Sequence, residues 1–163
     1  MLLLGYAGSA DAALCLREAA SRKEMVKLTL SSKPVPMSLP AQVAMARLGA
    51  PDAILALRRL FDAPDLPMTL FLLGVLRDIE DRSVLLAGVR LLNDDRQAPG
   101  VSAHGTRHVH DVALEALVAR LTLRPSFRIE PGRHYAPNEI AEIRTAAEQA
   151  LTRPDCEYHT THP

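Results

Sequence analysis

Length, composition and charge restrict the class of protein before any motif is considered. The 163 residues, 48 % of them hydrophobic and 23 % charged, fit one globular domain with a hydrophobic core and exclude a disordered chain. The 19 basic residues balance 19 acidic ones, and aromatic residues make up only 4 % with no Trp. Neither the basic surface nor the stacking side chains of a nucleic-acid-binding protein are therefore expected.

The first third of the chain is predicted to form helices separated by breaks. The first helix is predicted from Asp11 to about Leu30, with Cys15 in its core, because apolar residues recur near helical spacing. Residues 31–36 contain two prolines and end it. A second helix is predicted over Ser38–Leu48, where Ser38 caps the start and Gly49 closes the end.

Three further helices are predicted before residue 93. The third covers Pro51–Phe61 and begins with a proline and an acid. The fourth, Pro67–Arg77, is apolar on almost every side, which predicts that it is buried. The fifth ends at Leu92, and Asp78 with Asp81 resembles a capping arrangement at its start.

The last part of the chain alternates two long connections with two helices. Residues 93–105 are predicted to be a loop, followed by a sixth helix over Thr106–Thr122. Residues 123–136 form a second loop, and Pro137 begins a seventh helix that ends near Arg153. No run of alternating β-branched residues predicts a strand.

The predicted organisation is a single all-α domain over residues 1–153 with a polar tail over 154–163. The first eight residues lack the basic segment of a signal peptide, and no apolar run reaches the length of a membrane span. Cys15 and Cys156 do not indicate a disulfide framework. We therefore expect a soluble, cytoplasmic protein that does not enter a membrane.

A weak internal repeat supports an array of helix pairs. Residues 56–62 and 88–94 resemble one another at an offset of 32 residues, within the range of helical-hairpin repeats. Each stretch ends a helix–turn–helix unit at acidic residues. Because one helix pair alone cannot bury its apolar faces, such pairs are expected to stack.

These hairpins resemble HEAT-like repeats, in three pairs from Leu39 to Arg153 with the first helix as a cap. The stretch Arg107–Leu117, followed by Tyr135–Glu139, is similar to one in bacterial HEAT-like proteins, several of which resemble immunity proteins that neutralise toxins. The resemblance implies an α–α superhelix and a non-catalytic, protein-binding function. The Val-Arg signature of standard HEAT repeats is absent from the helix that begins at Pro51, which leaves the exact repeat family open.

Histidines near the sixth helix raise the question of a metal site. His104, His108, His110 and Asp111 are close in sequence, and His134 lies in the next loop. A metal requires ligands that converge, but residues two apart on a helix point in different directions. We therefore predict no metal, no cofactor and no catalytic residue, and a polar surface at this helix start.

The two long loops are the predicted binding surface. Long connections in a helical array often carry function, and Arg and Tyr are favoured at protein interfaces. The alternative is that the second loop covers the end of the helices, with Phe127 and Tyr135 packed inward. A nucleic-acid-handling HEAT-like protein and a lyase-type or metal-dependent enzyme are the other classes considered. The predicted partner is a protein, such as a toxin or effector, contacted by Arg96, His104, Arg107, Arg124, Arg128, Arg133, His134 and Tyr135.

Overall fold

The computed structural model describes residues 10–26, 35–62, 65–102 and 105–152. Within these ranges the chain is predominantly helical, with seven α-helices, and this confirms the predicted helical class. None of these helices is long and apolar enough to cross a membrane. Internal contacts divide the chain into two compact units, Met1–Ala87 and Gly88–Pro163, and each is considered by itself.

In its described residues the first unit contains helices and one small β-ladder. The elements are α1 (Ala10–Ser21), β1 (Met25–Val26), β2 (Val35–Pro36), α2 (Ser38–Arg47), α3 (Pro51–Leu60), α4 (Leu66–Leu76) and α5 (Arg82–Arg90). Strand β1 pairs antiparallel with β2. Helix α2 packs against both α1 and α3.

Helix α1 is shorter than predicted and buries a different face. It ends at Ser21, because the chain turns into β1 instead of continuing toward Leu30. Its buried residues are Ala12, Leu16 and Ala19, spaced four and three apart as one helical stripe requires. Cys15 lies beside this stripe and is exposed, so the prediction that it belongs to the core is wrong.

Most other helix boundaries of this unit follow local sequence signals, but the prediction that Ser38 caps α2 is wrong, because Met37 is the N-cap residue and no side chain caps this helix. Gly49 ends the second helix region with a positive φ of 76°, a conformation that glycine adopts without steric cost. The Asp65 carboxylate accepts the amide of Met68 at the start of α4, and the Asp81 carboxylate accepts the amide of Val84 at the start of α5. Helix α4 is buried along most of its length, as predicted.

The second unit combines a β-hairpin with two long helices. A 3₁₀ turn (Leu91–Asn93) leads into β3 (Gln97–Ser102), which pairs antiparallel with β4 (Gly105–His108). Helix α6 (Val109–Leu121) packs against the 3₁₀ turn and against α7 (Pro137–Thr152). Buried residues on these two helices include Val109, Ala113, Leu114, Leu117, Ile143 and Ala147.

The hairpin corrects the prediction of a strand-free loop over residues 93–105. Strand β3 contains Pro99 and Gly100 and lacks the alternating β-branched residues that predict a strand. Its register with β4 shifts between Gln97 and Val101, as at a β-bulge. Because β4 extends to His108, helix α6 begins at Val109 and not at Thr106.

Candidate functional site

Two neighbouring histidines meet where β4 ends and α6 begins. His108 closes the strand with extended backbone angles (φ −117°, ψ 168°), whereas His110 lies in the first helical turn. Their rings stack, with centroids 5.1 Å apart and planes inclined by 17°. The expectation that these side chains diverge assumed that both were helical, and it is wrong because His108 is not.

His134 completes a triangle of imidazoles. It lies in the connection 122–136 between α6 and α7, and its ring centroid is 5.1 Å from that of His108 and 5.5 Å from that of His110. The carboxylate of Asp111 is in contact with all three rings. One ligand atom from each of these four residues, which we call the histidine cluster, lies within 4.8 Å of every other.

Asp111 is the buried anchor of the histidine cluster. Its Oδ1 accepts the backbone N–H of Tyr135 at 2.9 Å, and its Oδ2 accepts that of His108 at 2.8 Å. Oδ2 also lies 3.1 Å from Nδ1 of His134. Burial alone would raise the pKa of Asp111, but these hydrogen bonds outweigh it and hold the pKa below its ordinary value. The fully buried carboxylate is therefore ionised at neutral pH.

Two ring nitrogens beside this carboxylate form no hydrogen bond of good geometry. Nδ1 of His108 and Nε2 of His110 are both buried, although the His108 side chain faces the backbone N–H of Asp111 in a capping box and Nε2 of His110 is at ion-pair distance from the Asp111 carboxylate. They lie 3.9 Å and 3.3 Å from the Asp111 oxygens. On its outer side, Nδ1 of His110 is 3.2 Å from the exposed carboxylate of Asp95. The two ring nitrogens of His110 thus face two carboxylates, Nδ1 that of the exposed Asp95 and Nε2 that of the buried Asp111.

A pocket of about 510 Å³ borders the three imidazoles. Its volume lies within the range of about 300–1,000 Å³ typical of small-molecule sites. Asp111 is absent from its lining, so the carboxylate is on the buried side of the rings and the pocket is on another side. The lining of this histidine pocket combines polar and apolar side chains: Leu92, Asn93, Asp95, His108, His110, His134, Tyr135, Pro137, Ile140 and Arg144.

Arg96 and Arg107, two of the residues predicted to contact a partner, form ion pairs within the unit. Arg96 donates to both oxygens of Asp94. This hydrogen bonding, opposed by partial burial, lowers the pKa of Asp94. Arg107 pairs with Glu115, which also accepts the amide of Gly132. Burial raises the pKa of Glu115 and outweighs the attraction of Arg107. Both arginines therefore hold local structure.

Arg133 and Tyr135 also turn toward the protein. Arg133 donates to both oxygens of Glu139 and lies 5.1 Å above the ring of Tyr135. The Tyr135 side chain is fully buried, its hydroxyl bonds to the backbone of Glu130, and its ring is 5.8 Å from that of Phe127. The alternative in which Tyr135 packs inward is thus the one observed.

The remaining predicted contact residues differ in position. Arg124 is exposed, and Arg128 is 86 % exposed with Glu130 3.6 Å from its Nε. These two are available to a partner in the connection 122–136. His134 belongs to the histidine cluster. His104 lies outside the described residues.

Sequence reasoning missed Arg144 as a pocket residue. It lies on α7 and donates to the carbonyl of Leu92 and the side-chain oxygen of Asn93, more than 50 positions earlier. No local motif marks such a pair, because only the packing of α7 in the second unit brings them together. Asp95 lies beside His110 because backbone hydrogen bonds join residues 94–96 to the start of α6.

No family model, curated protein or solved structure matches the chain. The resemblance to HEAT-like repeats and to immunity proteins therefore stays a prediction. Among the described residues, the histidine cluster and its pocket carry the chemistry that bears most directly on function.

Proposed function

We propose that the second unit binds a divalent transition-metal ion in the histidine cluster. The observation that carries the proposal is that Nδ1 of His108 and Nε2 of His110, which form no hydrogen bond of good geometry, converge with His134 on the buried Asp111 carboxylate. A buried polar atom without a partner is costly, so its presence in a folded protein calls for an explanation. A cation between these nitrogens and Asp111 satisfies all of them at once.

The donor set and its spacing fit this class of ion. Imidazole nitrogens with one carboxylate suit zinc, copper, iron or nickel and not calcium or magnesium. With zinc–ligand distances of about 2.0–2.1 Å, neighbouring donors of a tetrahedral site are about 3.3 Å apart. Oδ2 of Asp111 lies 3.1 Å from Nδ1 of His134 and 3.9 Å from Nδ1 of His108, and Oδ1 lies 3.3 Å from Nε2 of His110. The widest separation, 4.8 Å, closes through movements of about 1.5 Å.

The outer contacts of the ligands match those of metal sites. Ligating histidines usually direct their second nitrogen at a carboxylate or carbonyl, which fixes the ring and makes the ligand more basic. Asp95 stands in this relation to His110. The backbone amides that bind Asp111 hold the fourth donor in place before any ion arrives.

The test is zinc titration of the chelator-treated full chain by isothermal calorimetry. We expect one ion per chain, and about 2.7 kcal/mol of added stability at zinc concentrations 100-fold above Kd. His134→Ala and His108→Asn should each weaken binding by at least about 100-fold, the upper end of what even outer contacts contribute. Circular dichroism checks that both variants fold.

The matched control is the double variant His159→Ala/His162→Ala, which removes histidines outside the described residues. It should bind zinc as the parent chain does. Loss of binding in this control with retention in the His134 and His108 variants would assign the ion to the tail and refute the proposal. Absence of zinc binding by the parent chain would refute it as well.

A second candidate function is association with another protein, favoured by the exposed guanidinium groups of Arg124 and Arg128. In this proposal the helix pairs form an α–α superhelix of the HEAT-like type. The chain is then a non-catalytic cytoplasmic protein that blocks a toxin or effector. Exposed arginines favour association with an acidic surface. Arg124→Glu/Arg128→Glu should weaken a purified complex and leave the unfolding transition unchanged, whereas unchanged affinity at low and moderate salt would place the interface elsewhere.

A further inference from the structure

The histidine pocket has a chemistry of its own beyond the cluster that borders it. The three imidazoles line the pocket but Asp111 does not, so the pocket faces the cluster on a side that the carboxylate leaves uncovered. A zinc site with three protein donors keeps a fourth position open and can expand to five ligands, so the ion takes a further donor by expansion or by release of one of the four cluster residues. An ion held in the cluster is therefore accessible from the pocket to a further donor.

Arg144 places in the same pocket a positive charge that forms no ion pair with a carboxylate of the described residues. Its guanidinium donates only to neutral oxygens, the carbonyl of Leu92 and the side chain of Asn93. Its Nε is buried without a partner, and no carboxylate of the described residues forms an ion pair with it. A guanidinium binds carboxylates through parallel hydrogen bonds, so Arg144 favours an anion of this type.

The charge of the loaded pocket selects a monoanion. Asp111 and Asp95 together cancel a divalent ion, and Arg144 leaves one net positive charge. A doubly charged anion would leave the pocket with a net negative charge and would be repelled by Asp95, which lines the pocket. One carboxylate group matches it.

The rest of the lining requires an organic body. Leu92, Pro137 and Ile140 form an apolar wall, and burial of apolar ligand surface against such a wall is favourable. A pocket of about 510 Å³ holds a molecule much larger than a simple inorganic anion. Small-molecule sites usually combine an apolar lining with a few polar groups that orient the ligand.

We propose that the metal-loaded histidine pocket binds an organic monocarboxylate. Its carboxylate is held by the metal ion and Arg144, and its apolar part contacts Leu92, Pro137 and Ile140. This inference rests on the proposed metal site. It adds the class of ligand that the site recognises, which the histidine cluster alone does not define.

The experiment uses the full chain loaded with cobalt(II) and benzoate as the probe. Benzoate should change the visible absorption of the cobalt ion. The change should saturate with a Kd below about 1 mM, which corresponds to a binding free energy of about −4 kcal/mol. The neutral benzamide and inorganic phosphate, largely dianionic above neutral pH, should each bind at least tenfold more weakly. Tighter binding of phosphate than of benzoate would overturn the assignment of the ligand class.

Variants of Arg144 separate this inference from the proposed function. Arg144→Met should weaken benzoate binding at least tenfold with cobalt affinity changed less than threefold, and Arg144→Lys should recover part of the loss. If the parent chain binds cobalt but not benzoate, the inference fails and the metal site stands. If Arg144→Met folds and binds benzoate as the parent does, the inference fails too. If the parent chain does not bind cobalt, both fail.

Discussion

Asp111→Asn is the substitution whose effect on stability can be derived most directly from the structure. Both oxygens of the carboxylate accept a backbone N–H, Oδ1 from Tyr135 and Oδ2 from His108. An amide offers a single oxygen, so in either orientation its NH₂ group faces a backbone donor inside the protein. The side chain is fully buried, and no water can replace the lost acceptor.

The magnitude is set by these hydrogen bonds. A bond to a charged group contributes about 1.5–3 kcal/mol, and one between neutral groups about 0.5–1.5 kcal/mol. The variant loses one charged bond and reduces the other to a neutral one, which lowers the free energy of unfolding by about 2.5–4.5 kcal/mol. For a chain of this length the melting temperature should fall by roughly 5–18 °C.

The assay is urea and thermal unfolding followed by circular dichroism in the presence of a chelator, so that metal binding does not contribute. Asp95→Asn is the matched control, because Asp95 also lies beside His110 but is 91 % exposed. Its effect should stay below about 0.5 kcal/mol. A loss of less than about 1 kcal/mol for Asp111→Asn would show that the two backbone bonds to the carboxylate are not formed in solution.

Three further predictions concern other parts of the chain. Leu72 is fully buried on α4, so Leu72→Ala should cost about 2–5 kcal/mol in urea unfolding, and a cost under about 0.5 kcal/mol would contradict its burial. Thr122 ends α6 with a positive φ of 49°, so Thr122→Gly should raise the free energy of unfolding by about 1 kcal/mol; a decrease would refute the strain. Hydrogen bonds from Ser126 lower the pKa of Glu142. The bonds are therefore fully formed at pH values above the ordinary pKa of a glutamate, and they are lost as the pH falls through the lowered pKa of Glu142. The amide resonance of Ser126 should therefore titrate in the acid range, and a titration unchanged in Glu142→Gln would exclude this contact.

Features set by neighbouring residues could be predicted from the sequence. The turn at Gly49 and the first turn at Pro137 depend on local backbone preferences, and the structure places helix ends there within a few residues. The burial of α4 is explained by its composition alone, since helices with no polar face are covered on all sides. The prediction for α1 failed because an apolar residue such as Leu14 continues the pattern without being buried.

The candidate site could not be predicted for two reasons: the start of the sixth helix was predicted wrongly, and the site is formed by residues that are distant in sequence. Because the sixth helix was predicted to begin at Thr106, His108 was expected to be helical and its ring to point away from that of His110. Nothing in the local sequence brings His134 to Asp111 or Arg144 to Asn93. Arg133 and Tyr135 were interpreted as surface residues because arginine and tyrosine are common at interfaces, yet both engage in contacts within the unit.

The pairing of β3 with β4 also limits how this region can change during evolution. His108 is the last residue of β4 and pairs with Gln97, so its ring direction depends on the strand alternation that precedes it. Changes of length outside the paired residues of the two strands leave that pairing intact. A one-residue insertion or deletion within β4 reverses the faces of the strand and turns His108 away from His110 and His134. Homologues that keep the histidine cluster should therefore not vary in length within β4.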